Sequence, residues 1–541
     1  MADETSIGMD EVIKELGPFG KYNIVNYALL LFPCYLAAMQ ASGFNFEALD
    51  ITYRCKIPEC EGINETQWID FAIPKEANGD YSKCKRYQFT DFTDNATCGI
   101  DAFDATDVQD CDGIVYSDED SIVKDFDLGC QNWKRTLLGT IHNSGLFISL
   151  PVTGLISDKF GRKIALPIAS LMNGLCGVAR SFSTSYIMMA IWEFSEAALG
   201  GGAYTVAFVL AMELVPPNGR VLGNTLINFV YVIGLMNLAV LHWWLQDWRT
   251  MLRFMYIPAF PVLSYLYFLN ESPRWLLSQG KHKEAVGILK KAALMNKVVL
   301  SDHTLNSLKN VECPKDIKSK SKIERDDTKK EPSIFKKVIR SPEIRKRLIV
   351  CSYMWITCTF VYYGLSINSV SLAGNRYVNF ILVSFVEIPA NFVCFLVLDK
   401  FGRKKVLAVT YFLSAGLCIT LSFLPEGHKT WLLIVYLSGK FSITVAYSSV
   451  YIYLSELFPT NARQSLVSVC SMMGRFGSVM APMTPLLALY YKNLPAIFFG
   501  SMALLATLLV FTLPETINLP LPDTIEEAEN ISRVKKKMNT A

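Results

Sequence analysis

Along the 541 residues, apolar runs of about 20 residues alternate with polar intervals, and that is the length at which a helix crosses a hydrocarbon core. Six runs fall near 22–43, 136–157, 164–182, 187–212, 221–244 and 250–269. After a polar interval six more follow near 348–366, 378–398, 406–423, 431–454, 466–490 and 496–513. The pattern predicts twelve membrane-spanning helices in two groups of six. The first run follows Asp10, Glu11, Lys14, Glu15 and Lys21, not a short basic lead with a cleavage site, and is expected to be a retained span.

The polar intervals set the expected organisation. It runs as an N-terminal segment 1–21, a first half 22–269 with a long loop 45–134, a basic loop 270–347, a second half 348–513 and a tail 514–541. Hydrophobic residues make up 51% of the chain, too many for an ordinary soluble protein of this length. The formal net charge of +3 hides an acidic loop after the first span and a stretch with about twenty basic residues between 274 and 347. Lys and Arg collect on the cytoplasmic side of membrane proteins. That rule places the basic loop and both termini in the cytoplasm and the long loop outside; the expected location is the plasma membrane. The basic loop can touch acidic lipid.

The long loop holds Cys55, Cys60, Cys84, Cys98, Cys111 and Cys130. An even number in an oxidising location predicts three disulfides, with fifteen pairings open. Asn64-Glu-Thr and Asn95-Ala-Thr are glycosylation sequons in the same loop. The other eight cysteines lack metal-type spacing and are expected to be packing residues. No metal or cofactor motif stands out and no nucleotide-binding GxxxxGK[ST] loop occurs, so direct ATP drive is not expected and no nucleic-acid partner is implied.

Two motifs recur about 240 residues apart. "GLISDKFGRK" after the second span, with Asp158 and Arg162, returns as "FLVLDKFGRKK" after the eighth, with Asp399 and Arg403. "MELVPPNGR", with Glu213 and Arg220, returns as "SELFPTNAR", with Glu456 and Arg463. Two motifs repeating at one offset imply two homologous six-helix halves, the plan of a carrier that rocks about a central site. Gly permits the tight reversal in each DKFGR turn. The Asp can pair with a base or cap a neighbouring helix end, and the second motif supplies charges on the same face. We read the set as a gate latch, since charges near a membrane are costly unless used.

These stretches, with "ESPRWL" after the sixth span and "PETINLPLPDTIEE" after the twelfth, resemble the major facilitator superfamily and, within it, the organic cation, anion and zwitterion (carnitine) transporter family. The resemblance covers nearly the whole chain. It implies an all-α membrane protein of twelve helices in two halves with a Cys-rich extracellular loop. The chemistry it implies is solute transport, not an enzyme reaction.

Ionisable residues inside spans usually face the bundle interior. Here they are Glu193 and Glu196 in span four, Glu387 in span eight, Lys440 in span ten and Arg475 in span eleven. Three acids against two cations leave one carboxylate for a cationic substrate, a proton or a sodium ion. "GGGAY" (200–204) lets another helix or a ligand come close. Trp355, Tyr362 and Tyr363 in span seven and Tyr447 and Tyr451 in span ten offer aromatic faces, which attract ammonium groups. His142 is a further polar candidate and a candidate proton relay.

The family resemblance refines this. Cation-selective members tend to carry an acid where this chain has Arg475, whereas anion- and carnitine-type members carry Arg. Anion-type members place Lys where "VEIPANF" has Asn391. Glu387 with Arg475 therefore resembles the zwitterion-handling branch. Arg475 suits a carboxylate through its planar fork of donors. The expected substrates are small organic cations or zwitterions: carnitine-like betaines, biogenic amines or β-amino acid conjugates. The alternatives are an organic anion exchanger and a non-transporting receptor or scaffold.

Overall fold

The computed structural model describes residues 12–13, 15–17, 20–61, 68–76, 79–90, 98–216, 219–300, 340–372, 374–425, 427–459, 462–517, 522 and 525–531. The two sequons at Asn64 and Asn95 lie outside the described residues. The six expected helices of the first half are α1 (Lys21–Ser42), α2 (Asn132–Phe160), α3 (Arg162–Arg180), α4 (Tyr186–Gly200, resuming at Ala203–Glu213), α5 (Arg220–Leu245) and α6 (Trp248–Tyr256, continued through Ile257–Ser264 and Tyr265–Phe268). Those of the second half are α7 (Pro342–Asn368), α8 (Arg376–Phe385, resuming at Glu387–Phe401), α9 (Arg403–Leu421), α10 (Lys429–Leu457), α11 (Arg463–Met480, continued through Ala481–Met483 and Thr484–Tyr490) and α12 (Leu494–Val510).

Among the described residues, nine of these segments are long and apolar enough to cross a membrane by length and composition alone. The exceptions are α2 and α3, which carry polar side chains into the protein interior, and the short α12. Local chemistry starts several helices. Ser185, Ser341, Asn375 and Asp247 accept hydrogen bonds from first-turn N–H groups of α4, α7, α8 and α6, satisfying donors that a helix start leaves open.

Small residues let the helices approach. A Cβ on Gly200 would come within 2.6 Å of the Asn173 Cα on α3, and one on Gly145 within 2.9 Å of the Phe194 carbonyl on α4. In lipid, where apolar burial between helices gains little, such close packing is what binds helix to helix. The "GGGAY" break thus admits neighbouring helices. Each half has its own apolar core, the second built around Trp355, Tyr411, Tyr453 and Phe499. Phe392, Phe395, Phe412, Ile187 and Ile191 point outward and are exposed, as lipid-facing side chains must be.

The long loop forms a small lobe at one end of the bundle. Two antiparallel pairs, β1 (Tyr53–Cys55) with β4 (Ile114–Tyr116) and β2 (Lys85–Phe89) with β3 (Phe103–Asp110), enclose Ile57, Trp68, Ile73 and Phe89. Disulfides join Cys55 to Cys111, Cys60 to Cys98 and Cys84 to Cys130, one of the fifteen arrangements. A core this small needs such staples. The lobe docks on α6 through Asp125 and Arg249, 3.0 Å apart, and touches α8 through Glu119 and Arg376, 3.1 Å apart.

Contacts between the halves gather at this lobe end. Tyr377 of α8 stacks on Trp243 of α5 with centroids 5.5 Å apart and on Phe46 at 5.9 Å, and Phe380 meets Phe46 edge-on at 5.1 Å. The Thr140 hydroxyl on α2 donates to the Val479 carbonyl on α11 at 3.1 Å. Above these contacts a groove is lined by Phe44, Asn45, Asp50, Arg135, Ile367 and Pro482.

Candidate functional site

At the end of the bundle away from the lobe, the twin motifs build twin turns. Gly161 and Gly402 link α2 to α3 and α8 to α9 with φ of +99° and +94°, a region that suits glycine. No side chain would fit there either. A Cβ on Gly161 would run into the Glu271 carboxylate, and one on Gly402 would come within 2.7 Å of Glu515.

Those two carboxylates accept backbone N–H bonds at the starts of the helices, Glu271 from Arg162 and Lys163 at 3.0 and 3.1 Å, Glu515 from Arg403 and Lys404 at 3.0 and 3.3 Å. Negative charge at a helix N-terminus is favourable. Burial pushes the Glu271 carboxyl up, against the lowering by these N–H bonds.

Arg162 meets Asp158 at 3.0 Å and Glu213 at 3.3 Å; Arg403 meets Asp399 at 3.1 Å and Glu456 at 2.9 Å. Each set closes within its own half. Asp158 and Asp399 pair with the Arg of their own turn, and the helix caps come from Glu271 and Glu515. Arg220 opens α5, and Arg463 opens α11 with its Nε donating to the Phe458 carbonyl at 3.3 Å. Sequence reasoning passed over Glu271 and Glu515, although "ESPRWL" and "PETINL" stand at the same offset as the other repeats.

Glu193 and Glu196 share a side of α4, as their spacing predicts. The groups they meet belong to the first half. His142 Nδ1 lies 2.9 Å from Glu193 and 3.4 Å from Glu196, Asn173 donates to Glu196 at 2.7 Å, and Arg180 pairs with Glu193. Arg180 also reaches Glu47 at 2.9 Å and the Tyr256 hydroxyl at 3.1 Å. All four charged residues are at least 99% buried. The count of three acids against two cations therefore omitted Glu47 and Arg180. Both stand at the edges of apolar runs, where a side chain reads as interfacial; the lobe and α6 cover them.

In the second half, Lys440 and Glu387 form the pair, 3.0 Å apart, and Glu387 accepts the Tyr362 hydroxyl at 2.7 Å. The Lys440 ammonium also donates to Ser366 at 2.7 Å and lies 3.3 Å from the Tyr362 ring centroid. Thus the cation face of Tyr362 is occupied by the chain's own lysine. Trp355 is only 1% exposed and meets Tyr451 edge-on at 4.3 Å. Tyr363, Tyr447 and Tyr451 keep more open surface, Tyr451 being 45% exposed. Asn391 accepts the Ser448 hydroxyl at 2.7 Å.

Arg475 is half-buried on α11. Among the described residues no carboxylate lies within 4.0 Å of it. Its electrostatic neighbours are the phenols of Tyr363, Tyr447 and Tyr451 and, from α5 in the other half, Tyr231. Tyr231 in turn is within electrostatic reach of Glu387 and packs on Tyr204, 5.5 Å away. Arginine, acid–lysine pair and tyrosines therefore meet where the halves face one another.

The family described as sugar (and other) transporter matches residues 92–528. An organic cation transporter protein of Drosophila melanogaster is 29% identical over 545 residues, spanning 99% of this chain and 97% of that protein. The organic cation/carnitine transporter 2 of Mus musculus is 30% identical over 548 residues, spanning 97% of this chain and 95% of that protein. The inward open conformation of the xylose transporter XylE from E. coli superposes with a TM-score of 0.60 over 94% of this chain and 100% of that one; at 16% identity the likeness is one of fold. With the duplicated turns and the two six-helix halves already described, these full-length likenesses make the chain a multi-pass membrane transporter that belongs to the sugar (and other) transporter family of the major facilitator superfamily and, within it, to the organic cation and carnitine transporters.

Proposed function

We propose that this transporter is an alternating-access carrier of small zwitterions and organic cations, with carnitine-like betaines as the best-fitting class. Its place is the plasma membrane, with both termini cytoplasmic and the lobe outside. The carrying observation is the state of Arg475: no described carboxylate neutralises it, and tyrosines surround it. A half-buried guanidinium without a counter-ion suits an incoming carboxylate, which it grips with two parallel N–H donors.

Tyr363, Tyr447 and Tyr451 supply the faces for the substrate's ammonium group, an attraction of about 2 kcal/mol once water is displaced. Lys440 neutralises Glu387, so the acid contributes orientation of Tyr362 more than free negative charge. The name of the mouse relative, an organic cation/carnitine transporter, agrees with a substrate that carries both charges.

The same balance favours one second reading. With Glu387 neutralised, the chamber's uncompensated charge is positive, which an organic anion would also satisfy. Uptake of carnitine, tetraethylammonium and an aromatic carboxylate by wild type and Arg475→Ala separates the two. For a zwitterion carrier, Arg475→Ala cuts carnitine uptake by roughly tenfold or more, the worth of one charge-assisted hydrogen bond, and spares tetraethylammonium. Wild-type preference for the carboxylate alone selects the anion exchanger. Equal loss of all substrates makes Arg475 structural and removes the proposal's support.

A further inference from the structure

The buried cluster in the first half is out of charge balance. Glu47, Glu193 and Glu196 bring three negative charges, and Arg180 brings one positive charge. His142, 2% exposed, can add a second positive charge, which still leaves one carboxylate in excess. Uncompensated charge in a low-dielectric interior is untenable, so such groups bind protons.

The hydrogen bonding shows the same deficit. Glu47 Oε2, Glu196 Oε2 and His142 Nε2 are fully buried and have no hydrogen-bond partner among the described residues. Glu196 Oε2 lies 3.4 Å from His142 Nδ1 and 3.7 Å from the Arg180 guanidinium. A proton on it or on His142 converts an orphaned contact into a donated bond. A sodium ion would have to sit against that guanidinium, whereas a proton needs no room.

Position links the cluster to the movement of the halves. His142 stands within a turn of Gly139 and Thr140 on α2. A Cβ on Gly139 would come within 2.7 Å of Pro482 on α11 and 2.8 Å of Phe44, and Thr140 bonds the α11 backbone. The Phe44 ring packs 5.9 Å from the imidazole and also lines the groove at the lobe end. Parting the halves there would uncover His142 from the groove side. The remaining groups that face the cluster are Asn173 and Cys176 from α3 and Tyr256 from α6.

We propose that His142, Glu193, Glu196 and Glu47, with Arg180 as their fixed charge, form the proton-binding site through which this carrier draws on a proton gradient. The proton passes from water on the lobe side to the His142–Glu196 pair when the lobe end is open. It is buried when Phe44 and Pro482 close. Neutralising the excess carboxylate is what lets the cluster close away from water. The inference rests on the transport reading above and adds the driving ion and its site.

Liposomes holding the full chain test it in two arms. Counterflow of carnitine, tetraethylammonium and an aromatic carboxylate at equal pH reports transport itself. Initial uptake with the medium about one pH unit more acidic than the lumen, with a pH dye inside, reports coupling. We expect the gradient to raise wild-type uptake roughly threefold or more and substrate to acidify the lumen. Glu196→Gln and the milder His142→Gln should keep counterflow and lose both responses. Wild-type indifference to the proton gradient, an intact response in both variants, or dependence on a sodium gradient instead would overturn the site.

Failure of counterflow with every substrate would instead sink the substrate reading. The proton site is then judged by indicator-dye titration of purified protein between about pH 8 and pH 6. Wild type should bind protons over that span that Glu196→Gln and His142→Gln do not. Equal binding would overturn the site by itself.

Discussion

At the scale of single residues, the Lys440–Glu387 pair shows how a charge survives inside the bundle. Lys440 is fully buried and Glu387 is 5% exposed, so each depends on the other. Breaking a buried pair by removing one partner costs about 3–5 kcal/mol, while replacing both by groups of similar shape is close to neutral. Glu387→Gln should therefore lower the melting temperature in detergent markedly, and Glu387→Gln with Lys440→Met should restore most of it. Ser366 and the Tyr362 ring still hold the ammonium in the single variant, which places its loss toward the lower end of that range. A double variant no more stable than the single one would mean that the pair is not what neutralises the site. The residue types in this chamber were legible in the sequence, because an ionisable group in an apolar run stands out. Their pairing was not. Arg475 and Lys440 are equally plausible partners for Glu387 until helix rotation is known, and Arg180 and Glu47 escaped because burial by the lobe is a tertiary fact that no local window carries.

At the scale of elements, legibility followed repetition. The DKFGR turns could be read because they occur twice, and their glycine geometry is as the tight reversal required. The lobe could be recognised by its cysteines but not paired, since chain closure at separations of 38 to 56 residues leaves no local trace. Nor did the sequence reading find how the lobe is held. Asp120 accepts the Trp248 N–H at 3.1 Å and hydrogen-bonds Asp247, the residue that caps α6. Burial, then the bond to Asp247, lifts the Asp120 carboxyl from the usual 3.8 to about 6, against the lowering by the Trp248 N–H. Burial pushes Asp247 up as well, but hydrogen bonds from Thr250 and Arg249 hold it below the usual range. Because the folded value of Asp120 exceeds the unfolded one, the folded state binds the extra proton between about pH 4 and pH 6, and stability falls as pH rises through that window. Asp247 titrates below the window, so it does not cancel the effect. Asp120→Asn keeps a donor in place of the shared proton. It should melt higher than wild type near pH 7 and converge with it near pH 4.5; the same difference at both pH values would rule out the shared proton.

For the whole molecule, the joined lobe end defines one conformational state, and its stability decides how often the central tyrosines and Arg475 face the other way. Tyr377 is the point at which that equilibrium is most open to a test. Its ring stacks on Trp243 and Phe46 of the opposite half, with interplanar angles of 5° and 6°, and its hydroxyl lies 3.3 Å from His242 Nδ1. Each aromatic pair contributes about 0.5–1.5 kcal/mol beyond area burial. Removing both stacks should move the balance between lobe-end-closed and lobe-end-open states by about 1–3 kcal/mol, roughly five- to 150-fold. A thiol probe reads this directly. Thr136 is buried beside the groove at the lobe end, and the seven free cysteines among the described residues are all buried, so with Cys313 of the basic loop replaced by Ser, Thr136→Cys serves as the reporter to a membrane-impermeant reagent. Tyr377→Ala should raise its labelling rate at least several-fold, whereas Tyr377→Phe, which keeps both stacks, should stay near wild type. If Tyr377→Ala folds and labels no faster, the stacks are incidental and closure rests on the α2–α11 contact at Thr140 and Pro482. That result would also bear on the proton site. His142 stands behind the same α2–α11 contact, so a lobe end controlled there alone would tie opening more tightly to the protonation of the buried cluster than to the aromatic seam.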